Sequence, residues 1–483
     1  MRLAQHSFSQ ADQMRFASVS GDRNPMHVDA LQARRTQAGA PVVHGIHLLL
    51  WALDSLAASR PDLPPLRGIR ALFNKFIYLN EPVEVVLSKQ SSTGARLSIA
   101  VDGAPRSKVT LEFGDLGENL PAWAADPLEP TPLTEMPVDL TMDQIAGRSG
   151  NLAFQMSPQD ARTMFPAASK WLGPRRIAAL AASTYLVGMV CPGLHSIYSE
   201  LSVVSCGEST PRDFLAFRVT ETDPRFGSVE QEIAGGGIAG TVKGFIRTPP
   251  VQQATMKSLV GVVGPQEFAG SVALVVGGSR GLGELTAKLI TTGGGRVLIT
   301  WQTGKNDAER VAEEIRSAGG TCETLAYDAR KPAGEQLASV LDAPTNAYYF
   351  ATPVIYRPQA EIFVADRLQE FLAIYVDGFW KLTQALRARQ VRLSMFYPSS
   401  VFVAERPQGM TEYAMAKAAG EVLCAYINES LDPLHVTVKR LPRLPTDQTA
   451  SITAVETADP LETLLPIVCE VQSWPRKADI ARP

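Results

Sequence analysis

The chain has 483 residues, 45% of them hydrophobic and 20% charged, with 37 glycines and 34 prolines. That length asks for about three domains, and this ordinary globular composition excludes a disordered, collagenous or coiled-coil chain. With 46 basic and 49 acidic residues the net charge is -3, no electrostatic footprint for nucleic acid or an anionic membrane.

The 5 cysteines form no CxxC pair, and the 6 histidines form no HExxH. This reads as a reducing compartment and no dedicated metal site. The N-terminus, MRLAQHSFSQADQMRF, has no apolar core after its basic start, so no signal peptide is expected and a cytoplasmic protein is.

A polar turn, SGDRNPMHVDA, clusters Asp22, Asn24, Pro25, His27 and Asp29. Val43-His44-Gly45 then opens an apolar helix, predicted to run to about Ala58. Alternating strands follow at 69–79, 83–90, 95–102 and 107–113. A long helix followed by antiparallel strands predicts a helix wrapped by a curved sheet. Asp22 and His27 have the chemistry to grip one water, as carboxylate and imidazole acting as base and acid. Gly45 would offer its backbone N–H, at a helix N-terminus, to a thioester oxygen as charge develops there. GD or NP alone would read as a turn; the whole string with the downstream HG does not.

Five prolines between Asn119 and Pro137 mark 119–149 as a linker. The region 150–250 repeats the order of 1–118: a helix from about Arg176 to Val190, then four strands. Gly45 to Leu66 spans the same distance as Gly173 to Leu194, so the two helices align with their strands as an internal duplication. The second copy has no counterpart of Asp22 or His27, and is expected to be catalytically silent. Residues Ile177 to Ser199 are long enough to span a bilayer, but Ser183, Thr184, Pro192, Gly193, His195 and Ser196 interrupt them. A buried helix ending in a turn is expected there, and no membrane partner.

A second connector, 251–269, precedes a change of character. Over 270–483 apolar strands alternate with helical patterns, which predicts a parallel, doubly wound α/β sheet. Gly277, Gly278, Ser279, Arg280, Gly281, Leu282 and Gly283 follow a strand and open a helix. These glycines allow a pyrophosphate close to the backbone and the helix N-terminus. Tyr413 and Lys417 lie one helical turn apart on one face. A cation beside a phenol favours phenolate, which suits proton exchange with a substrate oxygen. Ser400 ends a strand upstream.

The string D-x-N-P-x-H-x-D-A with V-H-G resembles the MaoC-like, (R)-specific enoyl-CoA hydratase family, over roughly residues 1 to 115. The resemblance implies a hot-dog fold, here doubled, an α+β double hot-dog. It also implies Asp22 and His27 as the pair that adds or removes water across a 2,3 double bond, with Asn24 and His44 supporting the loop and Gly45 at the substrate. The ordered set of glycine loop, Ser400, Tyr413 and Lys417 resembles the short-chain dehydrogenase/reductase family, over about 220 residues, and implies an α/β Rossmann domain. In that family's terms Tyr413 is the acid/base, Lys417 binds nicotinamide ribose and Ser400 orients the carbonyl. Asp328 lies near adenine and Thr446 near the carboxamide.

Two departures are visible. Phe350-Ala351-Thr352-Pro353 stands where the family has NNAG, and Tyr375 where it has a helix asparagine that organises a relay water. The lid region after Thr449 is short. The second strand ends in Thr300-Trp301-Gln302 without an acid for the ribose hydroxyls of NAD, and Arg280 and Lys305 are suited to a 2′-phosphate. NADP(H) is therefore preferred over NAD(H).

Together these readings predict a bifunctional enzyme on acyl-CoA or acyl-carrier thioesters: a hydratase/dehydratase joined to a 3-ketoacyl reductase. The alternatives are a hydratase with a degenerate reductase domain, and a non-catalytic scaffold of an acyl assembly. A homodimer is among the assemblies the resemblance allows.

Overall fold

In the computed structural model the helix Gly45–Ser59 is apolar almost all round, with Ile46, Leu49, Leu50, Leu53 and Leu56 buried. Such a helix belongs inside a core rather than on a surface. It stops at Arg60, whose backbone leaves the helical region ahead of Pro61. The structure describes every residue except 116, 125–127, 208–212, 356–361, 390–391, 450–455 and 481–483, and backbone alone at 118, 119 and 475–480.

Five strands wrap this helix: β1 (Arg2–Ser7), β2 (Leu66–Phe73), β3 (Pro82–Ser91), β4 (Gly94–Val101) and β5 (Ala104–Phe113). After a short β6 (Gly117–Asn119) the pattern recurs in β7 (Ser149–Ala153), β8 (Ser196–Gly207), β9 (Phe214–Asp223), β10 (Ser228–Gly235) and β11 (Ile238–Ile246). The sheet order is β1-β3-β4-β5-β2-β8-β11-β10-β9-β7, so the second half mirrors the first across the β2–β8 pair. Even the turns correspond. Asp102 and Gly103 join β4 to β5, Gly236 and Gly237 join β10 to β11, and all four have positive φ. That geometry is what a tight hairpin requires.

The second central helix runs Pro174–Tyr185 and continues as a π-turn through Leu186–Val190, and it is buried from Ile177 to Val190, within the stretch that had the length of a membrane span. No described helix is long and apolar enough to cross a membrane.

The chain divides into two compact units, parting between Pro249 and Pro250, rather than three. The two halves of the first unit share one sheet and one core, because Gly68–Leu72 pair directly with Glu200–Val204. The expected 119–149 linker is not a free spacer. The Val138 N–H donates to Met189 O, Thr134 N–H to the Tyr185 hydroxyl, and Pro130 bridges Asn151. Likewise 251–269 is no bare connector: Met256, Leu259, Val263 and Phe268 are buried in the second unit's core. Apolar side chains spaced among the prolines outweigh the linker-like composition.

The second unit holds β12 (Val272–Val276), β13 (Arg296–Trp301), β14 (Thr321–Ala326), β15 (Asn346–Tyr349), β16 (Leu393–Ser400) and β17 (Leu434–Leu441). All pairs are parallel, in the order β14-β13-β12-β15-β16-β17. This is the doubly wound order whose switch point lies between the first and fourth strands, where ligands bind at the carboxyl ends.

Candidate functional sites

In the first unit Asn24 caps the short helix Pro25–Val28 through Met26 N–H and so turns the chain after Asp22. Its amide also donates to Gly188 O at 2.8 Å and to the Gly193 and Leu194 carbonyls at 3.3 Å. The loop of the first half is thus fastened to the second half's helix end. Asp22 is buried and its carboxylate receives the Thr184 hydroxyl at 2.6 Å and Asn24 N–H at 3.1 Å. Burial raises its pKa, while His27 and these hydrogen bonds oppose the rise.

His27 Nδ1 faces Val42 O at 2.8 Å, which assigns that nitrogen the proton and leaves Nε2 as the acceptor. Burial lowers its pKa and Asp22 counteracts this. The His27 ring stacks on His44 at 3.8 Å. His44 caps the Gly45 helix in sequence without bonding its N-terminus. It is instead held between Gln13 Oε1, 2.8 Å from Nδ1, and the Asp22 carbonyl, 3.1 Å from Nε2. Gly45 opens the helix as expected, and a Cβ there would meet the Phe73 ring at 3.1 Å.

Asp22, His27 and His44 bring ligand-type atoms within 4.8 Å of one another. They do not fit a metal ion. Stacked imidazoles carry their lone pairs side by side rather than converging, and both His44 nitrogens are already engaged. A carboxylate beside a neutral imidazole fits acid–base work on a water.

Two residues escaped the sequence reading. Thr184 supplies the Asp22 hydrogen bond, and Gly188 makes room for it: a Cβ at Gly188 would lie 2.4 Å from Asp22 Oδ1. Their signal was a threonine and a glycine in an otherwise apolar helix, which sequence alone presents as interruptions. The second half lacks its own dyad yet furnishes one wall of the first half's site.

In the second unit the glycine loop follows β12. Gly277 has φ 80° and a Cβ on Gly283 would lie 2.3 Å from Gly277 O, so only glycine lets the helix Gly281–Thr292 press on the loop. Thr300 anchors the loop by accepting Gly277 N–H at its hydroxyl and Gly278 N–H at its carbonyl. Ser279 is buried and Leu282 packs on the core. The Thr446 methyl lies 3.9 Å from where a Gly281 Cβ would be, so Thr446 comes to the loop from the opposite end of the sequence. Asp328 follows β14, half-buried, and accepts Arg330 N–H.

Arg280 departs from expectation. Its guanidinium pairs with Asp447 at 3.0 Å, and Asp447 also accepts Val251 N–H. A 2′-phosphate at Arg280 would have to compete with that carboxylate. The lid expected after Thr449 begins in 450–455, outside the described residues.

Tyr413 and Lys417 lie on the helix Thr411–Ser430. Lys417 Nζ donates to Pro398 O at 2.6 Å, which ties it to the end of β16 where Ser400 sits. Ser400 Oγ accepts Phe402 N–H at 3.2 Å, and the Phe402 ring meets Tyr413 edge-on. Burial pushes Lys417 down to about 7. Its ammonium faces the Tyr375 ring at 3.8 Å, with Tyr413 at 5.8 Å. Tyr375 lies in a π-turn, Ala373–Gly378, and its hydroxyl is 2.5 Å from Thr352 Oγ1. The two departures from the reductase pattern therefore touch each other. Burial drives the Tyr375 phenol far upward, so it stays protonated.

Residues 2–108 match the family model of the MaoC like domain, and residues 271–437 that of the KR domain. An Arabidopsis thaliana NADPH-dependent aldehyde reductase-like protein, chloroplastic, is 33% identical over 91 residues, 17% of this chain and 34% of that protein. The chain thus spans about a third of the curated relative it matches. Among solved structures, a Serratia marcescens short-chain dehydrogenase/reductase is 23% identical, covering 43% of this chain and 91% of its own, with TM-score 0.39. The 3-oxoacyl (acyl-carrier-protein) reductase of Agrobacterium tumefaciens with NADP bound is 19% identical, covering 42% and 88%, with TM-score 0.38.

The chain is a fusion of a MaoC-like domain, of hot-dog fold, with a KR domain of the short-chain dehydrogenase/reductase class.

Proposed function

We propose that the protein is a bifunctional (R)-specific enoyl-CoA hydratase/3-hydroxyacyl dehydratase and NADP-dependent 3-ketoacyl thioester reductase. Its first unit is then a double hot-dog whose second half is degenerate in chemistry. Asp22, His27, Asn24, His44 and Gly45 serve hydration. Ser400, Tyr413 and Lys417 serve reduction, with the loop from Gly277 to Gly283, Asp328 and Thr446 at the cofactor. The single observation that carries the reading is the Asp22 and His27 pair, buried or half-buried at the mouth of the Gly45 helix.

For hydration, Asp22 and His27 Nε2 would share one water: Nε2 would take one of its protons as the water oxygen bonds to C3 and then deliver that proton to C2, while the Asp22 carboxylate accepts the water's other hydrogen. The Gly45 N–H, an orphan donor of the first helical turn, would meet the thioester oxygen. For reduction, Tyr413 would give a proton to the carbonyl oxygen while Ser400 orients it. Lys417 would hold the ribose and lower the phenol's pKa. The glycine cradle fits a dinucleotide, because Gly277 and Gly283 leave space no side chain could share. The cofactor supplies hydride. Both sites would act on a 3-hydroxyacyl thioester, and tethering raises the effective concentration of the shared intermediate.

A second reading, hydration with a degenerate reductase, is favoured by Arg280 bound to Asp447 and by Tyr375 against Lys417. One paired assay separates them: NADPH or NADH oxidation with acetoacetyl-CoA, and hydration of crotonyl-CoA. Turnover in both supports the bifunctional enzyme. Hydration alone leaves the second reading. Activity in neither, with CoA and carrier-protein substrates, overturns both and leaves a scaffold.

A further inference from the structure

The first unit buries a guanidinium that no anion among the described residues touches. Arg247 follows β11, is 3% exposed, and donates its backbone N–H to His195 O. Its Nη2 donates to Leu194 O at 2.9 Å, while Nε and Nη1 are buried with no hydrogen-bond partner. His195 Nδ1 is buried and equally unpartnered. Asp139 attracts Arg247 electrostatically, but its carboxylate is 66% exposed and makes its close approach to His195, at 3.5 Å.

Burial pushes Arg247 down to about 10, which leaves it charged at neutral pH. A buried charge lacking a partner is costly, and such a group is tolerated where a ligand brings the opposite charge.

The place of this charge says which part of a ligand it would meet. Leu194 O receives Arg247 Nη2 and also Asn24 Nδ2, so the guanidinium stands one shared carbonyl from the loop of Asp22 and His27. Its field opposes protonation of His27. The nearest phosphate of a pantetheine arm lies many bonds from the thioester sulfur. An anion beside the dyad therefore belongs to the acyl group.

We propose that Arg247, with His195 beside it, receives a carboxylate carried on the acyl chain of the thioester, so that the hydratase centre takes carboxyacyl substrates. This rests on the hydratase reading of Asp22 and His27. Guanidinium is the side chain suited to carboxylate, by charge and by planar donors. A carboxylate there also cancels the field on His27, so the proper substrate would make its own base more basic.

The test measures binding apart from chemistry. Titration calorimetry compares succinyl-, glutaryl- and adipyl-CoA with butyryl-CoA, none of which can be hydrated, on the full chain and on Arg247→Met and Arg247→Lys. At least one carboxyacyl-CoA should bind the native chain about ten-fold tighter than butyryl-CoA or more. Arg247→Met should erase that preference and Arg247→Lys keep part of it, with circular dichroism checking the fold. Equal affinities in the native chain overturn the proposal. So does a preference that survives Arg247→Met, or a loss that falls equally on butyryl-CoA, which would place a CoA phosphate at Arg247. If either variant fails to fold, the native comparison alone decides. A carboxyacyl preference without crotonyl-CoA or glutaconyl-CoA hydration would sink the hydratase reading and leave the carboxylate site standing.

Discussion

The Thr184 hydroxyl, on the helix of the second half, donates to the Asp22 carboxylate of the first half at 2.6 Å. The second half thus holds the Asp22 carboxylate of the first half in place. A hydrogen bond to a charged group contributes about 1.5–3 kcal/mol. Thr184→Val should therefore slow hydration by roughly ten- to a hundred-fold. It should also move the acid limb of the pH–rate profile upward. The Thr184 bond lowers the Asp22 pKa against the rise from burial, so its loss leaves the carboxylate protonated to higher pH. Thr184→Ser should retain both rate and profile. A profile unmoved by Thr184→Val would deny the role.

The two chemistries should separate by mutation. Asp22→Asn or His27→Ala is expected to cut crotonyl-CoA hydration by about 10²–10⁴-fold and spare ketone reduction. Tyr413→Phe should do the reverse. Ketone reduction that survives Tyr413→Phe contradicts the assignment.

Lys417 makes stability depend on pH. Its folded value of about 7 lies below the ordinary 10.5. Between these values the unfolded chain binds more protons, so the group makes stability rise with pH across that window. Below it both states are protonated and the folded state carries the whole desolvation penalty. Lys417→Met should thus unfold at higher temperature than the native chain near about pH 6, with the gap closing towards about pH 10. Thermal scans at both ends check this, and a gap independent of pH would refute it.

Arg280 is paired with Asp447, and a 2′-phosphate bound there would have to share it. Arg280→Ala should raise KM for NADPH more than for NADH. Asp447→Asn should free the guanidinium and lower KM for NADPH, with little change for NADH. Equal shifts for both cofactors, measured by initial rates, would count against the phosphate role.

The Tyr375 ring lies 3.8 Å from the Lys417 ammonium. Tyr375→Phe keeps the ring but not the bond to Thr352, and should leave Lys417 perturbed as before. Tyr375→Leu removes the ring and should raise the apparent pKa of reduction or lower kcat several-fold. Identical pH profiles for the two variants would deny the cation–ring contact a part.

Periodicity sufficed for most elements: first-unit strands such as β3 and β5 alternate apolar and polar side chains, β12 is one continuous apolar run, and the helix Gly45–Ser59 is apolar almost all round. Every anticipated strand of both units formed, most with ends moved by a few residues, while the one expected at 69–79 runs Leu66–Phe73. The sheet order did not follow from such patterns. Mirror-related halves and the β2–β8 pair depend on which strand edges meet, and local sequence carries no such term. The two connectors misled for the same reason: their prolines are local, whereas the core positions of Met256, Leu259 and Phe268 are not.

The motif D-x-N-P-x-H with H-G, and the glycine loop with Tyr413 and Lys417, were determined by sequence alone. Caps, turns and helical spacing act over a few residues, so they can be read from a string. Tertiary structure decided the rest. Thr184 and Gly188 reach Asp22 across the two halves, Asp447 claims Arg280, Tyr375 lies on Lys417, and Arg247 is shut in with Nε and Nη1 unbonded among the described residues. Each is a contact between residues far apart in the chain, made by packing and by burial. Burial is what gives these polar groups their weight, and no residue carries its own burial in its name.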